Sequence, residues 1–307
     1  MKPFDQSSMI RASGIAALMA IRGWKRKSLT PSGAIAAWVV GFLSISCGLR
    51  GFLLLLFYLV GTKATRYKSQ LKSNLDQSAA DSSCRGPSQV LACSVFGIIF
   101  QLAHVYHYGE EHSIDFSKSP HASSLACALI AHHATSLADT LASELGILSK
   151  SHPVLIISGK KVPPGTNGGV TLMGTGYSAL GGLIIGLGAA ILDTISGLHV
   201  QPFAYVMFGT MCGILGSFLD SILGATLQVT YFDKEKKLCS NSVASASVHI
   251  SGRDILSNAQ VNVASILITS TAGSVIGSFF STSKTEAVFI QETENSTLYR
   301  SFPGKII

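Results

Sequence analysis

The chain has 307 residues, of which 47% are hydrophobic and only 13% are Asp, Glu, Lys or Arg. Soluble domains carry about 25% charged residues, so this deficit, with a mean hydropathy of +0.42, excludes an ordinary water-facing globule. The formal net charge of +7 does not point to nucleic acid, because the basic residues crowd the ends of apolar runs, where they fix orientation in a membrane.

A weak apolar run at 9–21 comes first, followed by Arg22, Lys25, Arg26 and Lys27. A signal peptide has its basic residues before the apolar run, so this segment is expected to be a short or incomplete helix. Residues 33–61 suit one long pass or two short ones, broken at Gly48-Leu49-Arg50-Gly51. Clear runs follow at 87–104, 122–142, 172–192, 203–228 and 261–281; a bilayer core takes about 20 apolar residues per helix. The expected fold is all-α: a polytopic transmembrane bundle of about 7–8 helices, some short or broken. It forms one integral membrane domain over 1–307, with a short helix and basic loop at 1–32 and a flexible tail at 283–307. Six scattered cysteines, none in a Cys-x-x-Cys pair, indicate neither a disulfide framework nor a zinc site.

Charge sorts the loops. Those at 22–27, 63–85, 150–161 and 234–253 are basic, whereas 106–121 carries Glu110, Glu111 and Asp115 against Lys118 alone, and the hinge 193–201 has no Lys or Arg. Two crossings by 33–61 place all four basic loops on one side, which positive charge assigns to the cytosol. The acidic loop, the hinge with a solvated Asp193, and the tail with its Asn295-Ser296-Thr297 triplet then lie opposite. An endoplasmic reticulum or other endomembrane location is expected, with oligomeric state undetermined.

Five segments carry the polar chemistry. Lys63, Thr65, Arg66 and Lys68 open a loop that continues to Lys72 and Asp76; the cluster suits phosphate, or serves only as a positive-inside anchor. Ser136, Asp139, Ser143 and Gly146 share a face at the end of an apolar helix, with Glu144 beside it. A carboxylate ending a membrane span is costly unless paired or metal-bound, although headgroup water also satisfies one. Residues 158–171 contain Lys160, Lys161, Gly165, Thr166, Asn167, Gly168, Gly169 and Thr171 and run into an apolar helix. Glycines allow N–H groups to converge on an anion, and the helix N-terminus adds its dipole; the alternative is a flexible loop with an N-cap. Gly216, Asp220, Gly224 and Gln228 recur every four residues, beside Ser221, which sets Asp220 against a neighbouring helix rather than lipid. Asn258 and Asn262 share a face at the start of the last helix, suiting ligand contact or interhelical hydrogen bonds. His107, Glu110 and His112 match no established metal-ligand spacing.

Taken together, Leu29-x-x-Ser32-Gly33-Ala34, Lys63-x-Thr65-Arg66, Asp139-Thr140-x-Ala142-Ser143-Glu144, the run from Val162 to Thr171, and Gly216-Ser217-x-x-Asp220-Ser221-x-Leu223-Gly224-Ala225-Thr226 resemble the transmembrane protein 19 family. The likeness runs from about residue 26 to about residue 269, with the blocks in family order. That family includes the plant phytyl-phosphate kinase and is distantly similar to polyprenol kinases and phosphatidate cytidylyltransferases. The resemblance implies transfer of a γ-phosphate from a nucleoside triphosphate, CTP foremost, to an isoprenoid or phytyl monophosphate in the bilayer. Asp139, Glu144 and Asp220 would hold Mg²⁺ or Mn²⁺. Lys160, Lys161 and the Gly165–Thr171 nest would take the nucleotide phosphates, and Lys63, Thr65, Arg66 and Lys68 the acceptor phosphate. Lys161 would join Asp139 and Asp220 in catalysis. Ser143, Ser221, Gly224, Asn258 and Asn262 would support these groups, and the isoprenoid tail would lie between the glycine-rich helices near 174–188 and 209–224. Two positions depart from the family pattern: Cys93 replaces a usual Asn, and Ser257 a common Asp. An ion pathway using the intramembrane carboxylates, or a non-catalytic scaffold, are the other function classes.

Overall fold

Apolar runs become helices in lipid because a membrane offers no water to satisfy peptide groups. The computed structural model describes residues 2–76, 84–243 and 246–280; the 283–307 tail and its Asn295 triplet lie outside the described residues. The helices are α1 (Gln6–Lys25), α2 (Pro31–Cys47), α3 (Phe52–Arg66), α4 (Ser69–Ser73), α5 (Pro87–Ala92), α6 (Val95–Tyr108), α7 (Pro120–Gly146), α8 (Leu172–Ile195), α9 (Pro202–Leu227) and α10 (Asn258–Ile276). By length and composition, α8, α9 and Asn258–Phe280 are long and apolar enough to cross a membrane. The first helix is longer than its weak hydropathy suggests, because Ala12, Ala16 and Ala20 give α1 a smooth face that is buried, largely against α2.

Contacts between helix ends show the chain running back and forth between two poles. At the far pole, Phe4 N–H donates to Ser46 O at 3.1 Å and His199 N–H to Ser113 Oγ at 2.9 Å. At the near pole, Thr30 N–H donates to Arg85 O at 3.1 Å, Arg66 bonds Arg26 O and Lys72 pairs with Glu144. Residues 33–61 therefore traverse the bundle twice, as helices α2 and α3. Thr30 caps α2 by accepting from Gly33 N–H at 3.0 Å, ahead of Pro31. The α2–α3 turn needs glycine at Gly48, where φ is +150° and an added Cβ would lie 2.5 Å from the Glu111 carboxylate.

That turn corrects one expectation. Asp193 is not solvated; it is fully buried. Arg50 reaches it from the turn with Nε–Oδ1 at 2.7 Å and Nη2–Oδ2 at 2.8 Å, and Tyr205 donates to Oδ2 at 2.6 Å. A buried carboxylate needs such partners, and the Arg that supplies them lies 143 positions away. Glu111 closes the same pole, accepting from Leu49 N–H at 3.0 Å and Arg50 N–H at 2.8 Å. Burial pushes its carboxyl up, while Arg50 and these bonds oppose the shift.

Helix α7 is the hub, with 17 of its 27 residues buried and α3, α6, α8, α9 and α10 around it. Small residues let the helices touch backbone to backbone, the usual device for packing in membranes. An added Cβ at Gly182 would lie 2.3 Å from Gly209 O, and one at Gly216 would lie 2.3 Å from Thr135 Cγ2. The α8–α9 contact is thus closed to a lipid tail around Gly182, Gly186, Gly209 and Gly213, whereas nearer the N-terminus of α8, Gly174 and Ser178 face an open space together with Ser217 and Ser221 of α9. Gly182→Ala is expected to cost about 1–3 kcal/mol by overpacking, read as a lower unfolding midpoint in detergent.

The loops are less irregular than the sequence suggests. Val154–Leu155 (β1) pairs antiparallel with Gly169–Val170 (β2). Residues 230–251 form a three-stranded antiparallel sheet, Leu238–Ser240 (β4), Thr230–Asp233 (β3) and Ser247–Ser251 (β5), with β3 central. The six cysteines are free.

Candidate functional site

The near pole holds a cavity of about 540 Å³, within the 300–1,000 Å³ range common for small-molecule sites. Asp139 from α7 and Asp220 from α9 both line it. Ser265 Oγ donates to Asp220 Oδ2 at 2.9 Å. With its nitrogen facing the carboxylate, the Asn262 amide donates to the same oxygen at 3.2 Å. Among the described residues no cation or hydrogen-bond donor reaches the Asp139 carboxylate, while Asp220 acts on it as a neighbouring negative charge. Two carboxylates facing one cavity resist being charged together, a cost that a retained proton or an entering cation relieves. No group of three or more His, Cys, Asp or Glu side chains among the described residues is arranged to hold a metal ion.

The glycine-rich turn lines the same cavity, packed on α9 at Ser221 and Ala225. Gly165 and Gly168 have positive φ, +87° and +75°; at Gly168 an added Cβ would lie 2.4 Å from Ala225 Cβ. Much of the turn's bonding is internal. Thr166 N–H donates to Pro163 O at 3.3 Å and Gly169 N–H to Thr166 O at 2.9 Å, and Asn167 N–H donates to Thr230 Oγ1 at 3.1 Å. Asn167 Nδ2 binds Val229 O and Asn241 Oδ1, each at 3.1 Å, so the small sheet holds the turn in place. Within the Gly165–Thr171 run, the N–H groups of Gly165, Gly168 and Thr171 have no partner among the described residues, which narrows the nest to those three.

Two helix N-termini also open on the cavity. Thr171 caps α8 by accepting from Gly174 N–H at 2.9 Å, and Ser257 caps α10 in a capping box with Gln260. Thr171, Gly174, Ser257 and Asn258 all line the wall. Ser257 therefore presents a hydroxyl and a cap to the wall rather than a third carboxylate. Helix N-termini favour anions.

The basic groups differ from those expected. Lys160 and Lys161 are exposed and are not on the cavity wall. Lys63, Arg66 and Lys68 are also exposed; Arg66 bonds Arg26 O, and Lys68 lies over the Tyr67 ring. Lys72 and Arg85 line the cavity instead. Lys72 is buried, donates to Thr65 O at 2.6 Å and Ala64 O at 3.1 Å, and pairs with Glu144. Glu144 thus already has a cation. Arg85 donates to Thr65 Oγ1 at 3.3 Å, so Thr65 acts as a support. Gly224 packs beneath the turn, where an added Cβ would lie 3.3 Å from Gly168 N. Ser143, Ser221, Asn258 and Asn262 are on the wall, as are Gln89, Ser178, Ser217, Gln228 and Asn241, which sequence reasoning had not assigned to a site. Lys72 and Arg85 sit inside a loop whose many basic residues look alike in sequence; the one signal for Arg85 is its place just before Gly86-Pro87 and a new helix.

The sequence pattern of the family described as integral membrane protein DUF92 matches residues 14–270. Protein PGR of Arabidopsis thaliana is 34% identical over 277 residues, covering 88% of this chain and 96% of the relative. An uncharacterized membrane protein of Synechocystis, sll0875, is 33% identical over 224 residues, 72% of this chain and 80% of the relative. Protein VTE6, chloroplastic, of Arabidopsis thaliana is 29% identical over 209 residues, 67% of this chain and 57% of the relative. No solved structure matches the chain.

Proposed function

Because the chain belongs to the integral membrane protein DUF92 family, we propose that its polar cavity is the site of a membrane-embedded lipid kinase. It moves the γ-phosphate of a nucleoside triphosphate, CTP in the first instance, onto an isoprenoid or phytyl monophosphate to give the diphosphate. One observation carries this reading: Asp139 and Asp220, distant in the chain, share a cavity with a glycine turn, two helix N-termini and two basic side chains. The resemblance to the transmembrane protein 19 family supplies the reaction class.

The residues suit that chemistry. Phosphoryl transfer needs positioning and charge neutralisation more than covalent help from protein. An oxygen of the acceptor phosphate attacks the γ-phosphorus, the bond from that phosphorus to the β,γ-bridging oxygen breaks, and the nucleoside diphosphate leaves. The attacking oxygen is already anionic, so no side chain need remove a proton. Asp139 and Asp220 would hold Mg²⁺ or Mn²⁺; in nucleotide sites Mg²⁺ takes one or two carboxylates plus phosphate oxygens, so a pair suffices. When bound, the ion supplies positive charge to the transferring group. Asn262 and Ser265 orient Asp220. Gly165 and Gly168 N–H groups and the α8 N-terminus receive nucleotide phosphate, and Glu144 steadies Lys72 at the wall.

The cavity opens at the pole that carries Arg22–Lys27 and the 150–161 loop, so the same reading puts it on the cytosolic face of an endomembrane. An ion pathway has less support, since the far pole is closed by Arg50, Asp193, Tyr205 and Glu111.

Purified protein given radiolabelled CTP, Mg²⁺ and a panel of isoprenoid monophosphates is expected to form labelled diphosphate, and to lose that activity on chelation. Failure with every acceptor and with ATP, GTP and UTP in place of CTP would end the kinase reading.

A further inference from the structure

The α8–α9 contact is closed around Gly182 and Gly209, and a second space offers the acceptor's tail a place. A narrow groove of about 110 Å³ lies among α1, α2, α3 and α5, walled by apolar side chains including Ala16, Val40, Leu54, Leu55, Phe57 and Val90. Arg85, Gln89, Thr140 and Asn262 line both this groove and the polar cavity. The two spaces therefore meet at a junction that bears a guanidinium and two side-chain amides. Arg85 is fixed there by its backbone, donating N–H to Ser28 O at 3.0 Å and accepting from Thr30 N–H at 3.1 Å. Asn262 stands beside Asp220. A molecule lying across the junction thus has its apolar part among helices and its anion within the carboxylate cavity.

Resting on the kinase reading, we propose that the groove among α1, α2, α3 and α5 holds the acceptor's hydrocarbon chain, with Arg85 at its mouth holding the acceptor phosphate. Its volume of about 110 Å³ suits a single chain rather than the two of a phosphatidate. A guanidinium suits phosphate because its planar fork can meet two oxygens at once. This places acceptor recognition on Arg85 rather than on Lys63, Arg66 and Lys68, and gives the first three helices a part in substrate choice.

The test is photolabelling of the full-length wild-type protein in nanodiscs, without nucleotide, using farnesyl phosphate with a diazirine at its tail end. Labels are expected on α2 and α3, and unlabelled farnesyl phosphate should compete them away; dioleoyl phosphatidate should not. Labels confined to α8, α9 or α10, or equal competition by the phosphatidate, overturn the proposal. Ala37 also lines the groove, away from the carboxylates. Ala37→Phe is expected to raise KM for farnesyl phosphate roughly tenfold or more, about 1.4 kcal/mol, while leaving KM for isopentenyl phosphate and for nucleotide unchanged. Equal effects on both acceptors would refute the groove. The two readings fail separately: transfer activity with labels elsewhere removes the groove alone, whereas competed groove labelling with no transfer removes the kinase alone.

Discussion

Asp139→Asn is expected to abolish Mg²⁺-dependent transfer, with kcat falling on the order of 10²–10³-fold, the scale seen when one group that stabilises transition-state charge is removed. The substitution is nearly isosteric, so helix α7 should pack as before. It also removes the repulsion between two carboxylates that face one cavity, so the variant should unfold at the same or a higher temperature than wild type. The two measurements together make the test sharp. Loss of activity with unchanged or raised stability marks a group kept for function at a structural cost. Loss of activity with lower stability would instead make Asp139 part of the bundle's internal support. A Mg²⁺-dependent rise in unfolding temperature on adding CTP should appear in wild type and vanish in the variant.

Arg50→Leu should be the most destabilising single change outside the cavity. It strips Asp193 of its only cation among the described residues and leaves a fully buried carboxylate with Tyr205 alone. Breaking one side of a buried pair costs about 3–5 kcal/mol. The double variant Arg50→Leu with Asp193→Leu should recover much of that loss, because Asp193 is then no longer stranded; the part not recovered reflects Glu111, which Arg50 also supports. Thermal unfolding of the two single variants and the double variant gives the coupling energy directly. A single variant within about 0.5 kcal/mol of wild type, the range typical of surface changes, would show that the far pole is wet rather than sealed.

The contrast between those residues shows what a sequence can disclose. Helix positions were legible because lipid demands long apolar runs, and the double crossing at 33–61 followed from charge sorting. Asp139, Asp220 and the glycine turn were legible because carboxylates in spans and clustered glycines are rare without a reason. Partners were not legible. Asp193 read as solvated because its hinge is bare of local charge, yet Arg50 reaches it across 143 positions. Lys160 and Lys161 looked like phosphate ligands by proximity in sequence, but the β1–β2 pairing leaves them exposed outside the wall. Lys72, one lysine among several in its loop, is the one folded inward against Glu144. The 230–251 sheet was missed because it was read as a basic loop, its short strands broken by the 234–237 turn.

The clasp of Asn167 by Thr230, Val229 and Asn241 bears on biosynthesis. A nascent chain presents the glycine turn first, but the groups that clasp Asn167 are translated 62 to 74 residues after it, and Asn262 and Ser265 later still. A chain that ends before Val229 therefore has the glycine turn without the groups that hold Asn167.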